Sequence, residues 1–159
     1  PGSIAVLDHL DHAGLDRAGL DRPGLDYHGV ATAVVSSSRN ARAVLDAAGI
    51  AHRFTVVVDG NVAIERGLSG KPAPDTFLDA ARQLGVDPTR TAVVEDAVSG
   101  VAAARAGGFA LVLGVDRGAN REALLSAGAD MVVTDLADTL PTHHDSRNHG
   151  RNDTRWGSS

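Results

Sequence analysis

The sequence predicts an α/β fold, a doubly wound and mostly parallel sheet covered by helices. Three observations carry that expectation. Short Val-rich runs alternate with helix-like runs from about residue 30 to residue 140, the order that a layered strand–helix chain imposes. The strand runs are apolar throughout rather than alternating, as strands buried on both faces are. Hydroxyl and carboxylate residues stand directly after the strands, where open parallel sheets bind their ligands.

The elements follow in order. Residues 31–35 (Ala31-Thr32-Ala33-Val34-Val35) read as a strand ending in Ser36-Ser37-Ser38. Residues 39–48 read as a helix with Val44, Leu45 and Ala48 on one face and Gly49 as its stop. Residues 54–58 form a second strand, closed by Asp59 and Gly60. In the helix at 74–84, Pro74 suits the first turn, Phe77, Leu78, Ala81 and Leu84 share a face, and Gly85 ends it. Residues 91–94 are a third strand, followed by Glu95 and Asp96. A small-residue helix at 98–106, a strand at 110–115, a short helix at 120–127 and a strand at 131–133 complete the pattern.

Composition bounds the function. A chain of 159 residues makes one domain of ordinary size. Aromatic residues are only 3%, so the core must be built from Ala, Val and Leu. A net charge of −5 lacks the basic stripe of a nucleic-acid-binding module. No apolar run approaches the ~20 residues of a membrane span, and no basic-then-apolar start marks a secretory signal. Without cysteine there is no disulfide framework and no thiolate metal site. The expectation is a soluble, cytoplasmic domain with neither a nucleic-acid nor a membrane partner.

Three segments are expected. Residues 1–29 contain a repeat of five residues, His12-Ala13-Gly14-Leu15-Asp16, then Arg17-Ala18-Gly19-Leu20-Asp21, then Arg22-Pro23-Gly24-Leu25-Asp26. That period matches neither helix nor strand, so residues 8–29 read as irregular. Residues 30–140 are the core domain. Residues 141–159 are a polar, disordered tail, whose His143, His144 and His149 have no apolar scaffold to make them a metal site.

Three pieces at the strand ends carry chemical meaning, each with a plainer alternative. Ser36, Ser37 and Ser38 can offer hydroxyl and amide donors to an anion, or simply cap the following helix. Lys71 is the sole lysine among 15 basic residues. It is mounted before a helix between Gly70 and Pro72, where an ammonium would suit a phosphate or carboxylate or stand by chance. The adjacent carboxylates Glu95 and Asp96 are costly after a buried strand unless compensated. They suit Mg²⁺, which is held by one or two carboxylates with phosphate and water, or form a solvated cap. Together, hydroxyl donors, one cation and a carboxylate pair on one sheet read as a phosphate-and-magnesium site. Asp59 and Asp116 stand at strand ends too.

With those residues in view, positions 31–138 resemble the core domain of haloacid dehalogenase (HAD) superfamily phosphotransferases, a Rossmann-like fold. The likeness is to β-phosphoglucomutase-like and trehalose-pathway sugar-phosphate phosphatases. Val34-Val35-Ser36-Ser37-Ser38-Arg39-Asn40 resembles the second motif of that family, and Gly70-Lys71-Pro72-Ala73-Pro74-Asp75-Thr76-Phe77 resembles the third. Val93-Val94-Glu95-Asp96-Ala97-Val98-Ser99-Gly100 resembles the fourth. The resemblance implies that Ser36 and Ser37 bind the transferring phosphoryl group and that Lys71 is a catalytic residue that neutralises it. It implies that Glu95 and Asp96 hold Mg²⁺, and that Ser38, Arg39 and Asn40 face the substrate, a small phosphorylated sugar. A receiver domain of signalling, the competing class, is disfavoured because its phosphoacceptor Asp and late-strand Lys are not at strand ends here.

The family's first motif, an apolar strand ending in Asp-x-Asp-Gly, supplies the nucleophile and a general acid/base. It lies well before the serine motif in the resembled subfamily, with a helical cap domain between. Here 35 residues precede Ser36, and the nearest text is Ile4-Ala5-Val6-Leu7-Asp8-His9-Leu10-Asp11. Asp8 follows an apolar run, but the second Asp is displaced and no Gly follows, so Asp8 is a poor nucleophile candidate. The expected core is therefore incomplete, without its cap and with a central sheet position empty. It reads as a truncated or inactive phosphatase or phosphomutase, as a half-enzyme completed by another chain carrying the motif, or as a non-catalytic phosphate- and Mg²⁺-binding domain.

Overall fold

The computed structural model describes residues 2–16 and 30–140. Helix α1 (Gly2–Asp16) precedes β1 (Ala33–Val35), α2 (Ala41–Ala47), β2 (Val56–Val58), α3 (Gly60–Glu65) and α4 (Asp75–Leu84). The chain then runs through β3 (Ala92–Glu95), α5 (Val98–Ala106), β4 (Leu111–Val115), α6 (Arg121–Ser126) and β5 (Met131–Val133). Single 3-10 turns occupy Ala51–Arg53, Pro88–Arg90 and Leu136–Thr139. None of the helices among the described residues is long and apolar enough to cross a membrane.

Among the described residues all the strand pairings are parallel, and they fall into two groups. β1 pairs β2 with Val34 opposite Val57, while β3, β4 and β5 pair in that order with Glu95 opposite Gly114 and Gly114 opposite Val132. No ladder joins β1 to β3 among the described residues. Helix α4 bridges the two groups. Its Ala80 packs with Val56 and Val58, while Phe77 and Ala81 pack with Val93, Val101, Val112 and Leu124. The Phe77 and Phe109 rings meet edge to face with centroids 5.9 Å apart, a favoured aromatic geometry. On the other face of the three-stranded group Val94, Leu111 and Met131 remain 48%, 39% and 49% exposed.

Two differences from the sequence reading stand out. Residues 8–16, expected to be irregular, lie in α1. The helix contains only the first five-residue unit, and Ile4, Leu7 and Leu10 recur at helical spacing before the repeat begins. Arg53 then clamps Asp8 and Asp11, three residues apart on that helix, at 2.6 and 2.5 Å. The remainder of that segment, 17–29, and the tail at 141–159 lie outside the described residues. Helix α3 is the second difference, absent from the sequence reading. Asp59 starts it, its carboxylate accepting the Asn61 and Val62 amides, both at 3.0 Å.

Candidate functional site

The carboxyl ends of β1 and β3 converge on Lys71. The Ser36 amide donates to the Val58 carbonyl at 2.9 Å, extending the β1–β2 ladder by one residue. The Ser36 Oγ accepts the Ser38 amide and the Ser38 Oγ accepts the Asn40 amide, each at 3.1 Å. The hydroxyls thus turn the chain into α2. Ser36 is half-buried, while Ser37, Ser38, Arg39 and Asn40 are exposed along the rim. Asn61 Nδ2 donates to the Arg39 carbonyl at 3.0 Å, and the Gly60 amide donates to the Ser38 carbonyl at 3.1 Å. A Cβ at Gly60 would lie 2.7 Å from the Ser37 carbonyl oxygen, so only glycine lets α3 approach the serine turn. Ser36, Ser37, Arg39, Gly60 and Thr76 border a cavity of about 270 Å³. Among the described residues, Thr76 Oγ1 is the buried side-chain polar atom with no protein partner.

Lys71 enters this junction from a pinned loop. The Asp75 carboxylate accepts the Ser69 amide at 3.0 Å, which holds the Asp75 carboxyl below the usual range. The Lys71-Pro72 peptide is cis. The Lys71 side chain is 11% exposed and forms an ion pair with the Glu95 carboxylate, itself 8% exposed. Its ammonium also reaches the Val35 carbonyl at 3.5 Å and lies 4.7 Å from the centroid of the Phe77 ring. One side chain therefore spans the two strand groups.

Glu95 is fixed further by the Asp96 and Ala97 amides, which donate to its carboxylate at 3.1 and 3.2 Å. The first turn of α5 comes so close that a Cβ at Gly100 would overlap the Glu95 carboxylate. This contact explains the glycine five residues after the glutamate in physical terms. Asp96 points outward, 49% exposed, and accepts from Arg117 Nε at 2.7 Å.

The structure brings Ser36, Lys71 and Glu95 together, with Asp96 adjoining and Ser37, Ser38, Arg39 and Asn40 along the rim. It does not bring Asp8 there. Asp8 pairs with Arg53, just before β2, and the Arg53 carbonyl accepts from Thr32, just before β1. Asp8 thus lies toward the amino ends of those strands. Asp59 and Asp116 are structural caps, the Asp116 carboxylate accepting the Gly118 and Asn120 amides at 3.0 and 2.9 Å. Sequence reasoning did not single out Asn61, Thr76 or Arg117. Thr76 lies inside the Gly70–Phe77 motif likeness, and Arg117 stands just after a strand end.

A divalent cation would find a short donor set. No three carboxylate or imidazole groups gather among the described residues, and Glu95 is already engaged by Lys71 and two amides. The outward Asp96 carboxylate fits a Mg²⁺ that keeps several waters and shares a ligand's phosphate oxygen.

Comparison with known proteins identifies the family. The haloacid dehalogenase-like hydrolase family matches residues 2–108. A β-phosphoglucomutase of Mycobacterium bovis is 52% identical over 115 residues, covering 70% of this chain and 44% of the relative. A trehalose-phosphate phosphatase of Mycobacterium leprae is 42% identical over 123 residues, covering 75% and 27%. The crystal structure of a mutant of CbbY from Rhodobacter sphaeroides in complex with xylulose-(1,5)bisphosphate superposes with a TM-score of 0.64 at 26% identity, over 87% of this chain and 54% of that one. The chain thus spans less than half of each of these two sequence relatives and about half of the structural one. It belongs to the haloacid dehalogenase-like hydrolases.

Proposed function

We propose that this chain is the phosphate-binding core of a Mg²⁺-dependent sugar-phosphate phosphatase or phosphomutase, and that turnover needs an Asp-x-Asp strand which residues 2–16 do not provide. The observation that carries this reading is the convergence of Ser36, Lys71 and Glu95 where two parallel strand groups meet. Ser36 and Ser37 would donate to the phosphoryl oxygens, Lys71 would neutralise their charge, and Glu95 keeps the ammonium aimed at them. Asp96 would hold Mg²⁺, which when bound neutralises charge developing on the transferred group. Arg39, with Ser38 and Asn40, stands on the rim where the remainder of a sugar phosphate, including a second anionic group, would lie. A bisphosphate in the CbbY complex is in keeping with that placement.

A second reading is favoured by the sheet itself. Among the described residues no strand joins β1 to β3, and this together with the exposed Val94, Leu111 and Met131 suits a parallel strand with a covering helix. That segment would carry Asp-x-Asp, either in the same polypeptide or in a complementing chain.

The test is phosphatase and mutase turnover with β-glucose 1-phosphate and Mg²⁺. The 159-residue chain alone is expected to remain at background. The same chain fused to, or mixed with, a segment bearing an Asp-x-Asp strand is expected to turn over, and to lose that turnover in Lys71→Ala. Mg²⁺-dependent turnover by the chain alone that disappears in Asp8→Asn would contradict the proposal.

A further inference from the structure

Helix α4 carries a buried carboxylate, Asp79, whose hydrogen-bond partners are none of the anion-site residues. Its side chain is 1% exposed. Two of its donors, Arg82 and Gln83, belong to α4 itself, with Gln83 Nε2 at 2.7 Å. The third comes from another element: Arg66 Nη1, at the end of α3, donates at 2.9 Å. Burying a carboxylate is costly even when it is paired, and the neighbouring Ala80 and Ala81 meet the core without a charge. Packing alone therefore does not call for an acid at this position, whereas a tie between α4 and α3 does.

Arg66 is where two parts of the site join. Upstream, α3 starts against the serine turn, the Gly60 amide donating to the Ser38 carbonyl at 3.1 Å and Asn61 Nδ2 to the Arg39 carbonyl at 3.0 Å. Downstream, the chain runs on to Lys71. The Leu68 amide returns to the Ala63 carbonyl at 2.8 Å, and the Ser69 amide donates to the Asp75 carboxylate at 3.0 Å. Asp75 and Asp79 stand one turn apart on α4 and share a face. Two carboxylates of one helix thus hold the segment from Arg66 to Ser69, just before Lys71. The Lys71 ammonium in turn reaches the carbonyl of Val35, the residue before Ser36, at 3.5 Å. Gly60, Ala63 and Ile64 of α3, with Leu68, line the cavity that Ser36 and Ser37 border.

We propose that Asp79 is a positioning residue: through Arg66 it holds α3 and the loop after it at the spacing that places Lys71 opposite the serine turn. This rests on the reading of Ser36, Ser37 and Lys71 as one anion site. A phosphate bound between a hydroxyl turn and an ammonium gains fully from both only when their separation is fixed beforehand. Without the Arg66 tie, α3, six residues long, stays fastened to the serine turn at one end and is released at the other. Ordering the Lys71 loop then falls to the binding step, and affinity drops. Arg82 is the internal control, because it reaches the same carboxylate without touching α3.

The experiment is titration of the full ¹⁵N-labelled chain and its variants with inorganic phosphate and Mg²⁺, alongside urea unfolding, at a temperature where the variants compared are folded. Asp79→Asn and Arg66→Met are each expected to weaken phosphate binding about three- to tenfold, and the double variant no more than either alone. Arg66→Lys, which keeps a cation on Asp79, is expected to recover most of the affinity. Arg82→Ala is expected to lower the unfolding midpoint and leave phosphate affinity unchanged. Without phosphate, Arg66→Met should shift the Gly60, Ser69 and Lys71 amides, which Arg82→Ala should leave in place. If Asp79→Asn does not fold, Arg66→Met decides, since Asp79 then keeps Arg82 and Gln83. Unaltered affinity in Arg66→Met, or equal losses in Arg66→Met and Arg82→Ala, overturns the inference and leaves the anion site standing. No saturable phosphate binding by the unaltered chain overturns the anion site, and the inference with it.

Discussion

Removing Lys71 should destabilise the fold as well as the site, because its partner is buried. The Lys71 and Glu95 side chains are 11% and 8% exposed, so solvent cannot take over either charge. Breaking such a pair by deleting one partner costs about 3–5 kcal/mol when the other charge is left stranded. In Lys71→Met the Glu95 carboxylate still accepts the Asp96 and Ala97 amides at 3.1 and 3.2 Å, which places the cost at the low end, about 3 kcal/mol. The methionine keeps the apolar stem against Phe77 but gives up the ammonium over its ring, a loss of about 0.5–1 kcal/mol. Glu95→Gln strands the ammonium, whose remaining carbonyl partner is 3.5 Å away, at a similar cost of about 3 kcal/mol. The double variant strands no charge and should cost less than the two single changes together, by a coupling of about 2–3 kcal/mol. Urea unfolding measures all four proteins. With a slope of about 1.5–2 kcal/mol/M, each single variant should lower the midpoint by about 1.5–2 M, and the double variant by little more than one of them. A coupling below about 0.5 kcal/mol, the value of an exposed pair, would refute the buried bridge between the strand groups.

Other expectations follow from the same geometry. Gly100→Ala gains helix propensity but drives a Cβ into the Glu95 carboxylate. A net loss of about 1–2 kcal/mol in urea unfolding is expected, with a gain in stability as the contrary result. Asp8→Asn should weaken the Arg53 clamp on α1 without changing phosphate affinity, measured by calorimetry. Acid should destabilise the fold. Asp75, Asp87, Asp116 and Asp130 all have carboxyls held below their ordinary values by amide and side-chain donors. Their contribution is complete above the unfolded carboxylate range, near about pH 4. It is lost as pH falls through the lower folded values. Chemical unfolding midpoints between about pH 7 and about pH 2.5 should decline only in the acid part of that range, and a rising midpoint below about pH 4 would contradict the assignment.

Much of the architecture is legible in the sequence because its signals are local. Pro74 and Gly85 bracket α4, the Val-rich runs mark the strands, and the small-residue run at Val98–Ala106 is a helix with the expected bounds. Strand ends shift by up to two residues, since pairing partners rather than composition decide where a ladder starts. Two helices escape a sequence reading for different reasons. α3 has six residues, too few to show a period, and its one cue is the Asp59 cap. α1 is obscured by the repeat that begins inside it, and Arg53, distant in sequence, helps to hold it in place. In the site, Ser36, Lys71 and Glu95 can be named from motif spacing, but their pairing cannot. The motif likeness assigns Glu95 to Mg²⁺, and its contact with Lys71, beside those with two amides, comes from a residue that no local pattern joins to it. Arg117 and Asn61 become visible only once loops from different strands are placed side by side.

The central claim is that Ser36, Lys71 and the Glu95-Asp96 turn form one anion site. Titration of the ¹⁵N-labelled chain with inorganic phosphate in the presence of Mg²⁺ tests it most directly. The account predicts saturable shifts at the Ser36, Ser37, Ser38, Lys71, Asp96 and Ala97 amides sharing one dissociation constant, and their loss in Lys71→Ala under conditions where that variant is folded. Shifts confined to other parts of the chain, or the same shifts persisting in folded Lys71→Ala, would contradict it.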